Sequence, residues 1–229
     1  MGKLKFNFTT DWKSKLIDLL IVIIGISIAF KLNNWNELRK TEREKMEYLE
    51  SFYNENIVNR ENLLSALKFS KSTKEDIDTL KQILISGNFS DERIKSLISS
   101  MMSMADFSPS TTTMENIIAS GEFDLINDID LRKNIINTYN AYKTTDKFES
   151  LLTDYVNEYV TPFFMENFRF SNFSIVNSDL YTDPLFENIV FGYEALLIQQ
   201  ISGYERNLKK QDVLIEKLTT TNKIYKKQE

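Results

Sequence analysis

Apolar and polar positions divide the chain into one long apolar run and a series of amphipathic stretches. The run from Leu16 to Phe30 reads LIDLLIVIIGISIAF, and Leu32 follows Lys31. Residues 16 to 32, at 1.5 Å per residue, reach about 25 Å, near the lower limit for a hydrocarbon core of roughly 30 Å. Lys15 and Lys31 can snorkel outward, and Trp12 and Trp35 sit where interfacial aromatics are expected. The pattern predicts a short basic tail over 1–15, a transmembrane helix over 16–34 and a soluble domain over 35–229. A secretory signal with Ser27-Ile28-Ala29 as its cleavage site ranks second. Asp18 interrupts its apolar region, its basic region is long, and the helical pattern runs past the cleavage point. A buried core helix ranks third.

Beyond Trp35 the period is helical throughout. Met46, Leu49, Tyr53, Ile57, Arg60, Leu64 and Leu67 recur at steps of three and four, continuing the first helix to about Ser70. The mixed-charge run from Glu37 to Lys45 reads as a solvated helix face. Ser72 or Thr73 is the expected N-cap of a second helix, with Ile77, Leu80, Ile83 and Leu84 inward and Gly87 at its end. Ser90 is the expected cap of a third, carrying Ile94, Leu97, Ile98, Met101 and Met102. Thr112 and Glu115 have capping-box spacing before a short helix closed by Gly121. Asp128 heads a long helix with Leu131, Ile135, Tyr139, Tyr142, Leu152, Tyr155, Val156 and Tyr159, interrupted near Thr144 and broken at Pro162. Periodicity is lost from Thr161 to Pro184, where Phe163, Phe164, Phe168, Phe170 and Phe173 are expected to tuck into the end of the bundle. A last helix spans about Phe186 to Lys226, with Gln211 interrupting its apolar stripe and Lys223, Lys226 and Lys227 at its C-terminal end. The fold class is all-α: an N-terminal membrane helix continuing into an elongated antiparallel helical bundle, with coiled-coil pairing of its long helices.

Composition narrows the chemistry. Gly (6) and Pro (3) are scarce, as long helices require. The chain carries net charge −5, and the first 31 residues hold five lysines against two aspartates, so the acidic excess lies in the soluble part. Such a domain repels phosphate backbones, which excludes a nucleic-acid partner. Histidine and cysteine are both absent, which rules out Ser-His-Asp and Cys-His catalysis, thiolate and imidazole metal sites, and a ferritin-type di-iron bundle. All six glycines are isolated, so there is no phosphate-binding loop. Asp124, Asn127, Asp128 and Asp130 lack the glycine and terminal glutamate of a calcium loop and suit helix capping instead. The expectation is a non-enzyme with no cofactor, no metal and no small-molecule substrate.

Within the apolar run, Gly25 and Ala29 form a small-xxx-small pair with Ser27 beside it, a surface on which two membrane helices can approach closely. Asp18 is ionisable near the start of the span, where it either meets a partner or reaches the headgroups. Basic residues flank both ends almost equally: Lys3, Lys5, Lys13 and Lys15 before, Lys31, Arg39, Lys40, Arg43 and Lys45 after. A short tail retained in the cytoplasm favours an inner-membrane protein with its domain outside.

Two stretches resemble a known family. Ile23 to Glu37, IIGISIAFKLNNWNE, and Met114 to Tyr139, MENIIASGEFDLINDIDLRKNIINTY, are similar to an uncharacterised family of single-span membrane proteins frequent in Bacteroidota. Members carry an acidic residue early in the span and then Asn-Asn-Trp-Asn-Glu; here Asp18 stands for the usual Glu, and Lys31 for a neutral residue. The resemblance implies a retained anchor and a helical domain, and no activity. A shorter likeness, Leu16-Ile17-Asp18 before apolar residues, is similar to stator subunits of the ExbD, TolR and MotB type. It would make Asp18 a proton carrier with a multi-span partner. The functional expectation is a membrane-anchored scaffold or sensor acting by protein contact in a bacterial envelope complex. Its partners would be the lipid bilayer, further copies of itself or another membrane protein. The alternatives are the stator-like subunit and an oligomeric pore-forming effector.

Overall fold

In the computed structural model, residues 12–172, 174–177 and 179–225 are described, and they are helical almost throughout. Helix α1 spans Trp12–Ser86, α2 Ile94–Ser100, α3 Thr112–Ser120, α4 Ile129–Tyr155, α5 Thr161–Asn167 and α6 Pro184–Tyr225. A π turn over Val156–Val160 joins α4 to α5. A hairpin of two-residue strands, β1 Phe168–Arg169 and β2 Ser174–Ile175, pairs Phe168 with Ile175 antiparallel. Short 3₁₀ turns lie at Phe123–Leu125 and Leu180–Thr182. The all-α fold class expected from the sequence is the one observed. The chain divides into two compact units, Met1–Glu47 and Tyr48–Glu229.

The first unit is the N-terminal stretch of α1. Every described side chain from 15 to 43 is exposed, including Leu16, Ile21, Ile24, Ile28 and Phe30. This stretch is the one helix among the described residues that is long and apolar enough to cross a membrane, with a mean hydropathy of 2.2 over 18 residues. Its exposure removes the reading as a buried core helix. Where the polar residues return, Lys40 pairs with Glu44, and Lys45, buried rather than solvated as the charge run suggested, pairs with Glu42 at 2.5 Å.

The second unit is a bundle whose direction can be read from its cross-helix contacts. Arg60 pairs with Asp212, Lys71 with Glu205, and Lys74 and Lys81 with Glu194, so α6 runs opposite to α1. Thr145 meets Asn207 and Tyr142 meets Gln211, while Tyr155 lies against Gly192, so α6 also opposes α4. Residues 87–128 carry the chain back between α1 and α4. Asn59 bonds to Ser110, Glu55 to Thr113 and Tyr48 to Glu122, each earlier residue of α1 meeting a later residue of the return. The arrangement is up-down-up-down, with its second member broken into α2, an irregular segment and α3.

Buried positions repeating every 3.5 residues form a seam along each long helix, with Leu67, Ile189 and Leu208 buried beside it. On α1 the seam positions are Leu49, Phe52, Asn56, Asn59, Leu63, Ala66, Ser70, Thr73, Ile77 and Leu80. On α6 they are Phe186, Val190, Tyr193, Leu197, Gln200, Tyr204, Asn207, Gln211, Leu214 and Leu218. Alternating steps of three and four are the seam of a coiled coil, and they keep one face toward the partner over many turns. Both ends of the seam are apolar and its middle is polar. An apolar core cluster joins Ile77, Leu80, Ile94, Leu152, Val160, Phe164, Phe186 and Tyr193. Each such side chain contributes about 1.5–3 kcal/mol on burial.

Several local expectations change for physical reasons. α1 does not end near Ser70: Ser70 and Thr73 are buried seam positions, the Ser70 hydroxyl donates to Gln200 at 3.4 Å, and the helix runs on to Ser86 before Gly87 closes it at φ +70°. Ser90 does not cap α2; its hydroxyl bonds to Asn88. The Thr112–Glu115 capping box does not form either: the N-cap is Thr111, whose carbonyl accepts the Glu115 N–H at 3.0 Å and whose hydroxyl donates to the Glu115 carboxylate. Thr144 does not interrupt α4, since its hydroxyl bonds back to the Asn140 carbonyl. Pro162 does not end the helix. Its missing N–H falls just after the π turn, whose wider winding absorbs the misfit, and α5 continues. Asp128 does cap α4, accepting from the N–H groups of Asp130 and Leu131, and Gly121 does close α3 at φ +74°. Phe163, Phe164 and Phe168 are buried as expected, while Phe170 is exposed. Phe173, Lys226 and Lys227 lie outside the described residues, as does the Lys223 side chain.

Candidate functional site

The broken return creates the site. Residues 103–111 are not helical, because Pro109 and a run of short polar side chains disfavour a helix there. Their backbone groups therefore have no intrahelical partners, and side chains from the long helices supply them. Asn59 pairs with both groups of Ser110, accepting from its N–H at 2.8 Å and donating to its carbonyl at 2.8 Å. Glu149 of α4 accepts the Phe107 N–H at 3.0 Å. Glu55 takes the Thr113 N–H and hydroxyl together with the Ser110 hydroxyl. Asn59 and Glu149 thus stand in for helix partners missing at Ser110 and Phe107, and Glu55 holds the start of α3.

Two tyrosines of α4 join these groups into a network. Tyr139 donates to Glu55, and Tyr142 donates to Asn56 at 2.7 Å while accepting from Gln211 at 3.1 Å. Burial pushes the Tyr142 hydroxyl up to about 12, partly offset by the donors Asn59 and Gln211. Burial, and then the neighbouring Glu55 carboxylate, raise that of Tyr139 well above the ordinary range. Further along, Tyr204 of α6 donates to Glu149, and Asn207 donates to Thr145 at 3.0 Å. Gln200 Nε2, Asn207 Oδ1 and Gln211 Oε1 are buried side-chain atoms that lack a hydrogen-bond partner, and all three belong to α6.

Beside this network lies a cleft of about 500 Å³ between the 106–111 segment, α3 and α4. Phe107, Met114, Ile118 and Ile136 give it an apolar wall, and Tyr139, Tyr142 and Glu149 a polar one. Its rim carries Asp106, Glu115 and Asp146 with Lys143. Glu149 is half-buried, and burial pushes its carboxyl up to about 7; Asp106 and Asp146 push the same way, against the donors Tyr204 and Phe107. No group of three or more carboxylates suited to a metal ion occurs among the described residues.

A family match covers residues 18–191. The chain belongs to DUF6090, a family of unknown function. No curated protein and no solved structure matches it. The DUF6090 match begins at Asp18 and ends near the start of α6. It takes in the apolar run from Asp18 on, the broken return and every residue lining the cleft, and leaves Gln200, Tyr204, Asn207 and Gln211 beyond its end.

The residues singled out from sequence do not gather at the cleft. Trp12, Lys15, Asp18, Gly25, Ser27, Ala29, Lys31 and Trp35 all lie on the exposed stretch of α1. Ser27 donates to its own helix at the Ile23 carbonyl, 2.7 Å away, and a Cβ added at Gly25 would meet nothing within 4 Å. Arg39 stands over the Trp35 ring at 4.7 Å. Sequence reading missed Glu55, Asn59 and Glu149 as partners of an irregular backbone. The available signal was polar residues at 3.5-residue spacing inside long helices, of which only Gln211 was noticed.

Proposed function

We propose that this DUF6090 protein is a single-span membrane protein whose 48–225 bundle works by protein–protein contact, as a scaffold or sensor in a bacterial envelope complex. The observation that carries the reading is the exposed apolar stretch of α1, flanked by Lys15 and Trp35. An apolar surface of that size does not persist in water, and a bilayer is the solvent that suits it. Trp35 with Arg39 above its ring, next to Asn33, Asn34 and Asn36, forms an interfacial collar. The Asn-Asn-Trp-Asn-Glu run is then the hallmark of an anchored group frequent in Bacteroidota, and the bundle is placed on the periplasmic side of the inner membrane. Self-association runs through Gly25, Ser27 and Ala29, because small side chains let a second span approach.

Light scattering of the full chain in mild detergent tests the assembly. A defined oligomer that falls to monomer on Gly25→Leu is the expected result. A monomer before and after the change would overturn self-association through the span. A second substitution separates this reading from a stator: Asp18→Asn leaves a scaffold working, and abolishes function if Asp18 carries protons.

A further inference from the structure

We propose that the cleft between the 106–111 segment, α3 and α4 binds an organic cation with an apolar body, an ammonium or guanidinium group carried on an alkyl or aryl chain. The inference stands apart from the membrane reading, since every group it uses belongs to the bundle. Three observations carry it.

The first is volume and lining. About 500 Å³ falls within the roughly 300–1,000 Å³ typical of small-ligand sites, and the apolar wall of Phe107, Met114, Ile118 and Ile136 offers a surface for a hydrocarbon body. Ile118 and Ile136 are exposed on that wall, so a bound apolar group would cover them.

The second is the way Glu149 is held. Its Oε1 accepts both the Phe107 N–H and the Tyr204 hydroxyl. Those two donors belong to the return segment and to α6, and together they hold that one oxygen in place. Its Oε2 accepts no hydrogen bond from a described residue and is not among the buried atoms that lack partners, so it reaches solvent on a residue that lines the cleft. A carboxylate immobilised through one oxygen with the other open is a preorganised acceptor for a cationic N–H donor.

The third is charge. The lining holds four carboxylates, Asp106, Glu115, Asp146 and Glu149, against the single cation Lys143. Glu149 faces Asp106 from the return segment and Asp146 from its own helix, with the Tyr204 hydroxyl of α6 on the other side and Tyr139 and Tyr142 along the wall. A positive group entering the cleft relieves that repulsion and favours the ionised form of Glu149. Burial and the two aspartates hold the Glu149 carboxyl up near 7. Binding therefore releases a proton, and affinity rises by about ten-fold from pH 6 to pH 8 as the carboxylate ionises.

The test is isothermal calorimetry on the full chain in a non-ionic maltoside detergent, with 4-phenylbutylammonium and its neutral analogue 4-phenylbutanol as probes. The proposal expects saturable binding of the ammonium, binding of the alcohol at least ten-fold weaker, and the stated rise with pH. Glu149→Gln keeps an oxygen for Phe107 and Tyr204 but loses the charge, and lowers ammonium affinity ten-fold or more while abolishing the pH dependence. Asp146→Asn, on the exposed rim, lowers affinity about three-fold with no risk to folding. The tripeptide amide acetyl-Leu-Lys-Phe distinguishes sources. Tighter binding than the free amine assigns the cation to a lysine of a protein partner, and weaker binding assigns it to a free amine; either supports the site. Equal affinity for amine and alcohol, an unaltered Glu149→Gln variant with native circular dichroism, or no saturable heat with either probe would overturn it.

Discussion

One helix, α1, serves two opposite surroundings. From 16 to 32 its side chains are mostly apolar and all exposed; from 48 to 80 its inward face alternates Leu, Phe, Leu and Ile with Asn56, Asn59, Ser70 and Thr73, all buried. The difference follows from what each stretch must satisfy. The apolar stretch is a closed helix whose backbone meets its own needs, and Ser27 bonds back into it, so no polar side chain is called for. In the bundle, the neighbour of α1 is a return segment that is not helical at 103–111, and its backbone groups must find partners among side chains. At Asn59 the polarity inside the bundle is the counterpart of irregular backbone beside it, whereas Asn56 and Ser70 bond to side chains of α4 and α6.

This comparison can be broken at graded points. The largest effect belongs to Asn59→Ala, which leaves the N–H and carbonyl of Ser110 without partners; at about 1–3 kcal/mol per orphaned group, urea unfolding should show a loss of about 4 kcal/mol. Next is Ile24→Arg in the apolar stretch, costing about 3 kcal/mol of membrane insertion. It should reduce the fraction retained in the membrane pellet and leave the melting of the bundle unchanged. An interchange of those two readouts would undo the contrast.

Gly203→Val comes third. A Cβ at Gly203 would lie 2.7 Å from the Phe148 ring, so the ring or α6 must give way, and thermal denaturation should report a loss of about 2 kcal/mol. Gly192, covered by the Tyr155 hydroxyl, should respond in the same direction. Fourth is the titration of Glu149. Its folded value is raised to about 7 from 4.5, so the folded chain holds a proton that the unfolded chain releases. The stability it contributes is full below about pH 4.5 and is lost as pH rises to 7, by about 1 kcal/mol once its partial exposure to water is allowed for. The difference in melting temperature between wild type and Glu149→Gln should therefore change between pH 5 and 7.5 and stay level above. Smallest is Arg60→Ala: its ion pair with Asp212 at 2.6 Å is half-exposed, and chemical denaturation should detect less than about 0.5 kcal/mol.

The helical class, the apolar stretch and some helix ends were legible because they rest on local signals: a long apolar run, Asp128 as a cap, Gly87 and Gly121 past helix ends. The inward face of the bundle was legible only in its apolar parts. Following hydrophobic residues alone gave Tyr53, Ile57, Arg60 and Leu64 as the face of α1, whereas the seam runs one position away through Asn56, Asn59 and Leu63. An asparagine in a seam looks like a surface residue until the segment it serves is known, and that segment lies 51 positions further on. Gln211 showed the same rule in reverse, since an interruption of the apolar stripe of α6 is the donor to Tyr142. The cleft was not legible at all. It depends on the gap left where the return fails to be helical, and Glu149 is ordinary among many acidic residues until Phe107 and Tyr204 are brought to it.

The central claim is that the exposed apolar stretch of α1 serves as a membrane anchor for a bundle folded by other means. Alkaline carbonate extraction of membranes carrying the full chain, beside a chain beginning at Asn36, tests it most directly. The account predicts that the full chain stays in the pellet, while the shorter chain is released, remains helical and melts cooperatively. Release of the full chain into the carbonate supernatant would contradict it.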